Sequence, residues 1–178
     1  MKAAANAHSQ AVSPEAFAVF YDKAFAEVYR YLAAAVFGDQ AVAEDLTQET
    51  FASVVTAVRD GRAVALTMPW LMGVARHKLI DHYRNRSREQ RRLAMAWAGG
   101  LGDRNDRLEE LEDVEPGRVV ALLQDLSPTH RLVLVLKYLD DLSVDEIASE
   151  IGRSVHATES LLARARQTLA RSHREAQS

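Results

Sequence analysis

The chain of 178 residues has no cysteine, which excludes a disulfide framework and any thiolate chemistry. It has no apolar run long enough to span a bilayer and no cleavable leader, which predicts a soluble, cytoplasmic protein. No phosphate-binding glycine loop or nucleophile elbow is present. The carboxylates fall on helical faces or in a linker rather than beside a candidate base, so the expectation is that the protein is not an enzyme and needs no cofactor. His77 and Asp81 stand at i and i+4 but lack a third ligand at a persuasive spacing, so no metal site is expected. There is no credible strand pairing either, since the stretch from Val64 to Leu66 is short and without a partner, nor any long internal repeat. An excess of basic charge is also missing. The formal net charge is −3 and the isoelectric point is near 6.1, unlike most nucleic-acid binders taken whole.

What is present is hydrophobic content of 48%, ample for packed cores in one large or two small domains, and charge that is unevenly spread. Arginine concentrates between Arg76 and Arg92 and again between Arg153 and Arg174. Acid dominates Asp39 to Glu49 and Asp103 to Glu115. Two basic faces therefore sit within an acidic chain.

Outside the leading tail and a linker the periodicity is helical, and an all-α fold is predicted, with two small helical domains joined by a flexible acidic linker. Residues 1–12 read as a flexible tail. Ser13, Pro14 and Glu15 form a helix start, followed by Phe17, Phe20, Tyr21, Ala24, Phe25, Val28, Leu32 and Val36 on one face. Gly38 ends that helix and Asp39 caps the next, which turns Val42, Leu46, Thr50, Val54 and Val58 toward a core before Gly61 stops it. A second stripe of the same helix carries Asp45, Gln48, Glu49 and Ala52. Solvated acids suit the positive end of the helix dipole, but an acidic strip is also what a docking face needs. Phe51, beside it, is either a second core contact or an exposed anchor.

Pro69 opens a long helix whose Leu71, Val74, Ala75 and Leu79 pack inward. Its other side sets Arg76, Ile80, Tyr83 and Arg84 at i, i+4, i+7 and i+8, and Arg86, Arg88, Arg91 and Arg92 prolong the charge. Such cations neutralise phosphates, and Tyr83 and Trp70 are of a kind that stacks on unpaired bases. The alternatives are a solvated basic helix end and a core tryptophan; the arginine density favours nucleic acid. Residues 93–117 break the periodicity with Gly99, Gly100, Gly102, mainly acidic charge, Pro116 and Gly117. This is the linker, with room at Leu108 and Leu111 for a short helix.

The second domain, 118–172, begins with a stripe of Val119, Leu122, Leu123 and Leu126. Ser127 and Pro128 open a strongly apolar helix of Leu132, Val133, Val135, Leu136 and Leu139, expected as the buried centre, and Asp140 and Asp141 mark a turn. Residues 173–178 form a tail. From Leu142 to Leu169 the order is short helix, glycine turn and basic-ended helix. Ile147, Ala148 and Ile151 make a stripe, Gly152 supplies a positive φ, and Ser154 caps the next helix. Val155, Leu162, Ala165 and Leu169 face inward, leaving Arg153, His156, Glu159, Ser160 and Arg164 toward a groove. A plain helical hairpin shares this pattern, so context has to decide.

That context is the order AEDLTQETF, PWLMGVARHKLIDHYRNR, LSPTHRLVLVLKYLDDLSVDEIASEIGRSV and LLARAR, which closely resembles an extracytoplasmic-function (ECF, group IV) sigma factor of the sigma-70 family over Phe17 to Arg171. The resemblance implies sigma region 2 within 13–92 and region 4 within 118–172. It implies that Asp45, Leu46, Gln48, Glu49 and Phe51 dock on the clamp helices of core RNA polymerase. It assigns Trp70, Arg76, His77, Lys78, Asp81, Tyr83, Arg84 and Arg86 to the minus-10 element. Arg153, Ser154, His156, Ala157, Glu159, Ser160, Arg164 and Arg166 would meet the minus-35 element, with region 4 seated on the polymerase flap. His77 stands where relatives often have asparagine, and Glu159 and Leu161 stand where they often have basic residues. Core polymerase, promoter DNA and an anti-sigma factor are the implied partners, with no membrane insertion. A stand-alone helix-turn-helix regulator is the rival reading.

Overall fold

In a computed structural model the described residues are 14–62, 66–96, 123 and 126–175. Every regular element among them is an α-helix: α1 (Pro14–Ala35), α2 (Gln40–Arg59), α3 (Met68–Ala96), α4 (Pro128–Tyr138), α5 (Val144–Ile151) and α6 (Val155–Glu175). The chain divides into two compact units, Met1–Leu79 and Ile80–Ser178, and the division falls inside α3.

In the first unit α1 packs on α2. Ala24, Val28, Leu32 and Ala35 recur at helical spacing and are fully buried, facing Ala43, Leu46, Phe51 and Val54 of α2, while Leu71, Ala75 and Leu79 line the buried side of α3. Thr47 and Thr50 are buried too, and their hydroxyls donate to Ala43 O and Leu46 O at 2.7 Å each, so neither leaves a bare polar group in the core. An aromatic cluster closes one end. The Tyr21 ring meets Phe51 edge-on at 4.5 Å, and Phe25 lies 5.9 Å from Phe51. Gly38 turns the chain between α1 and α2 at φ +79°, and the Asp39 carboxylate accepts from Val42 N at 3.2 Å.

The second unit is built around α4, whose five consecutive residues Leu132 to Leu136 are all buried. Ser127 caps it, accepting from His130 N at 3.3 Å, and Pro128 occupies the first turn, where its missing N–H costs nothing. Helix α4 packs on α5 and α6, and α5 packs on α6. Ser143 and Glu146 form a reciprocal capping box on α5, with Glu146 N donating to Ser143 Oγ at 3.3 Å and Ser143 N donating to Glu146 Oε2 at 2.8 Å. Gly152 ends α5 in the left-handed region at φ +66°, and Ser154 caps α6 through Ala157 N at 3.2 Å.

Several local expectations change, among them Leu139, expected in the buried centre of α4 but 45% exposed just past its end. Val155, expected inward, is 39% exposed, whereas Leu161 is buried, because the packed stripe of α6 runs through Thr158, Leu161, Leu162 and Ala165. Ile80 and Tyr83, expected on an outward basic face, are each only 2% exposed in the second unit. Helix α3 continues to Ala96, past the expected linker start at Leu93. The acidic run, the leading tail and most of the stripe from Val119 lie outside the described residues, although Leu126 is described and buried.

Candidate functional site

The acidic stripe of α2 stands as the spacing predicts. Asp45, Gln48 and Glu49 are exposed, while Leu46 and Phe51 on the adjoining face are buried. Phe51 is thus a core contact that holds α2 against Tyr21 and Phe25. Glu49 also approaches Lys78 Nζ at 3.7 Å, but the carboxylate is 60% exposed, so water and salt screen the pair and it remains available. Beside it Ser53, Thr56, Arg62 and Lys78 line an open cleft.

The residues expected along α3 are not equivalent. Trp70, Arg76 and Lys78 are partly exposed, and His77 is exposed with Nδ1 2.9 Å from Gly73 O, a helix-internal contact that fixes the ring. Asp81 and Arg86 are exposed, and Asp81 lies 3.5 Å from Arg84 Nη1. Tyr83 departs from its expected role. Its ring is buried with the Arg131 guanidinium 5.9 Å from the centroid, so in this conformation it offers no face for a base to stack on. Arg84 Nη2 donates to Glu150 O at 2.9 Å, at the last turn of α5, where a cation meets outward carbonyls favourably. Near the end of α3, Arg92 grips Glu89 with two bonds, at 2.6 and 3.0 Å. The hydrogen bond from Arg92 holds the Glu89 carboxyl below the ordinary carboxylate range, and the same bond holds Arg92 above its usual value.

On α6 and its leading turn, Arg153, Ser154, His156, Glu159 and Arg164 are exposed, and Ala157 and Ser160 are partly so. They form the open side of the helix-turn-helix. Ser154 Oγ is engaged as the cap, and Arg164 Nε donates to Ser160 O at 3.2 Å. His156 and Glu159 approach at 4.0 Å in full exposure to solvent, too loosely to hold one another. Arg166 points elsewhere, its guanidinium 5.8 Å from the ring of Tyr138, which it covers on the α4 side. Among the described residues no group of three or more histidine or carboxylate side chains is placed to hold a metal ion.

The capping box and the bond from Arg84 to Glu150 O were not anticipated from sequence. The first was legible as Ser-x-x-Glu at the head of an apolar stripe. The second joins residues 66 positions apart, which periodicity along one helix does not register.

Two family models match the chain: Sigma-70 region 2 over residues 20–89 and Sigma-70, region 4 over residues 117–169. The ECF RNA polymerase sigma factor BldN of Streptomyces coelicolor is 33% identical over 172 residues, covering 92% of this chain and 62% of BldN, so the chain spans less than two thirds of that relative. The ECF RNA polymerase sigma factor SigC of Mycobacterium tuberculosis is 32% identical over 143 residues, covering 80% of this chain and 75% of SigC. Among solved structures, the sigma factor RpoE in complex with the anti-sigma factor NepR from Bartonella quintana superposes with a TM-score of 0.53 at 17% identity, covering 89% of this chain and 96% of that one, which is a likeness of fold.

Proposed function

The chain belongs to the extracytoplasmic-function family of RNA polymerase sigma factors, and from that membership we propose that it binds core RNA polymerase, recognises minus-35 and minus-10 promoter elements and promotes strand opening at initiation. The observation that carries this reading is the pairing of an exposed acidic stripe on α2 with an open helix-turn-helix at α5 and α6, each inside its own family match. The exposed carboxylates Asp45 and Glu49 make the docking contact with polymerase, and Gln48 adds a neutral hydrogen-bonding group. Leu46 and Phe51 set the stripe's geometry from beneath. Region 2 takes 13–92 and region 4 takes 118–172.

Trp70, Arg76, His77, Lys78 and Arg86 face the single-stranded minus-10 element, by cation contact and stacking. Tyr83 and Arg84 join them only if the second half of α3 is released from its packing in the second unit. Arg153, His156, Glu159, Ser160 and Arg164 read or flank the minus-35 major groove, where a carboxylate such as Glu159 accepts from a cytosine amino group. The protein itself performs no catalysis, acts in the cytoplasm and is controlled by an anti-sigma factor; a relative of the same fold has been solved with one.

The test is co-elution with core polymerase on size exclusion, together with promoter-dependent transcription. Charge reversal at Asp45 and Glu49 is expected to weaken core binding at least tenfold, since like charge at a docking face costs several kcal/mol. A stand-alone regulator would bind DNA without polymerase and ignore these substitutions; that outcome would sink the proposal.

A further inference from the structure

Along α3, Arg84, Arg88 and Arg91 share one face by their spacing. In the second unit that face helps to enclose a cavity of about 170 Å³, completed by Ser87, Thr129 and Arg153. Its floor is apolar, made in part by the buried Tyr83. Four arginines thus line one small space, and among the described residues no acidic side chain lines it.

The α3 side of the cavity is tied to α4 and α5. Arg84 is anchored on Glu150 O at 2.9 Å, and the Ser87 and Thr129 hydroxyls meet at 2.7 Å, joining α3 to α4. Among the described residues the charge, by contrast, is poorly compensated: Arg84 has Asp81 at 3.5 Å, outside the lining, and Arg88 has the neutral Asn85 Oδ1 at 3.4 Å. No described ion pair joins Arg88, Arg91 or Arg153 to a carboxylate. Like charges held beside an apolar floor repel more strongly than in water, and a multiply charged anion removes that cost. The guanidinium fork matches phosphate oxygens two at a time, and the paired hydroxyls can turn to donate to the same oxygens.

We propose that this cavity is a binding site for a compact polyphosphate, a diphosphate or triphosphate group held by Arg84, Arg88, Arg91 and Arg153 with Ser87 and Thr129. A continuous nucleic-acid strand spreads one charge per nucleotide along its length, whereas a diphosphate concentrates its charge in the one space these four arginines line. Because Arg84 and Arg153 are also assigned to promoter contacts, an occupied cavity competes with promoter engagement. That consequence rests on the proposed function; the binding itself does not.

Isothermal titration calorimetry of the full chain at physiological ionic strength tests it, with inorganic pyrophosphate as the probe. Pyrophosphate is expected to bind one to one, at least tenfold tighter than sulfate at matched ionic strength. Arg88→Ala and Arg91→Ala, both at exposed positions, should each weaken it about tenfold, the value of one charge-assisted contact. Arg171→Ala, outside the lining, should leave it unchanged. Two further arms separate the sources. A nucleoside diphosphate binding more tightly than pyrophosphate assigns the site to a nucleotide, and the reverse ranking assigns it to free polyphosphate. A nucleoside monophosphate matching pyrophosphate overturns the proposal, as does equal sensitivity to Arg171→Ala and Arg88→Ala. Core-polymerase binding is read separately, so either idea can fail alone.

Discussion

The acidic stripe of α2 and the arginine face in the second half of α3 look alike in sequence, each a charged helical face beside an apolar one, yet they are held in opposite ways. On α2 the division is clean: Leu46, Thr47, Thr50 and Phe51 are buried while Asp45, Gln48 and Glu49 stand open. On α3 the face is partly turned in: Tyr83 is buried, and Arg84 and Ser87 bond to α5 and α4 within the second unit. Charge density on a helix therefore predicts the chemistry of a partner better than it predicts accessibility. Acids beside a complete apolar stripe stay outside because a short charged stem has little to bury, and the one described pairing, Glu49 with Lys78 at 3.7 Å, leaves the carboxylate largely in water. Arginines carry long apolar stems and planar donors, so they lie over rings and reach helix-end carbonyls without losing their hydrogen bonds.

The contrast is tested hardest at Tyr83. If that ring is a core residue of the second unit, Tyr83→Ala should cost about 3–5 kcal/mol of its stability, the range for removing a buried aromatic. Charge reversal at Asp45 and Glu49 should move the stability of the first unit by no more than about 0.5 kcal/mol. Urea unfolding followed by circular dichroism, with the two units allowed separate transitions, measures both. A Tyr83→Ala protein as stable as the parent would mean that the ring spends its time exposed, and the difference between the two helices would vanish.

The residues involved explain how far sequence could see. Helix limits at Pro14, Asp39, Ser127 and Gly152 were legible because proline, cap and left-handed turn act within a few residues. The acidic stripe was legible for the same reason, since a face is defined by spacing alone. The burial of Tyr83 was not, because it depends on partners such as Arg131. The bonds that dock its helix join residues 42 and 66 positions apart, Ser87 with Thr129 and Arg84 with Glu150. Local periodicity carries no information about such pairings. It placed Ile80 and Tyr83 outward because an apolar stripe on the opposite side of α3 already accounted for a core.

A smaller effect is expected at Gly152, where the chain turns between α5 and the outward face of α6. A methyl group added there would meet no atom within 4 Å, so any penalty comes from the backbone at φ +66° alone. Gly152→Ala should cost about 1–2 kcal/mol, and Gly152→Asn less, because asparagine tolerates the left-handed region. If both variants unfold at the parent's denaturant midpoint, the turn relaxes freely, and α6 is no more firmly aimed than an unconstrained helix would be.

The smallest effect belongs to Glu89 and Arg92, a pair fully open to solvent on the same helix that buries Tyr83. The hydrogen bond from Arg92 lowers the Glu89 carboxyl, so its folded-state value lies below its unfolded one. Whatever the pair contributes is therefore present above the unfolded value and is lost as pH falls through the folded one. Glu89→Gln should melt slightly below the parent at neutral pH and coincide with it once the solution is more acidic than the lowered carboxyl. Thermal melts followed by far-ultraviolet circular dichroism across that acid range provide the comparison. A difference that persists unchanged into acid would assign Glu89 a packing role, and would mean that even the outermost turns of α3 are held by more than charge.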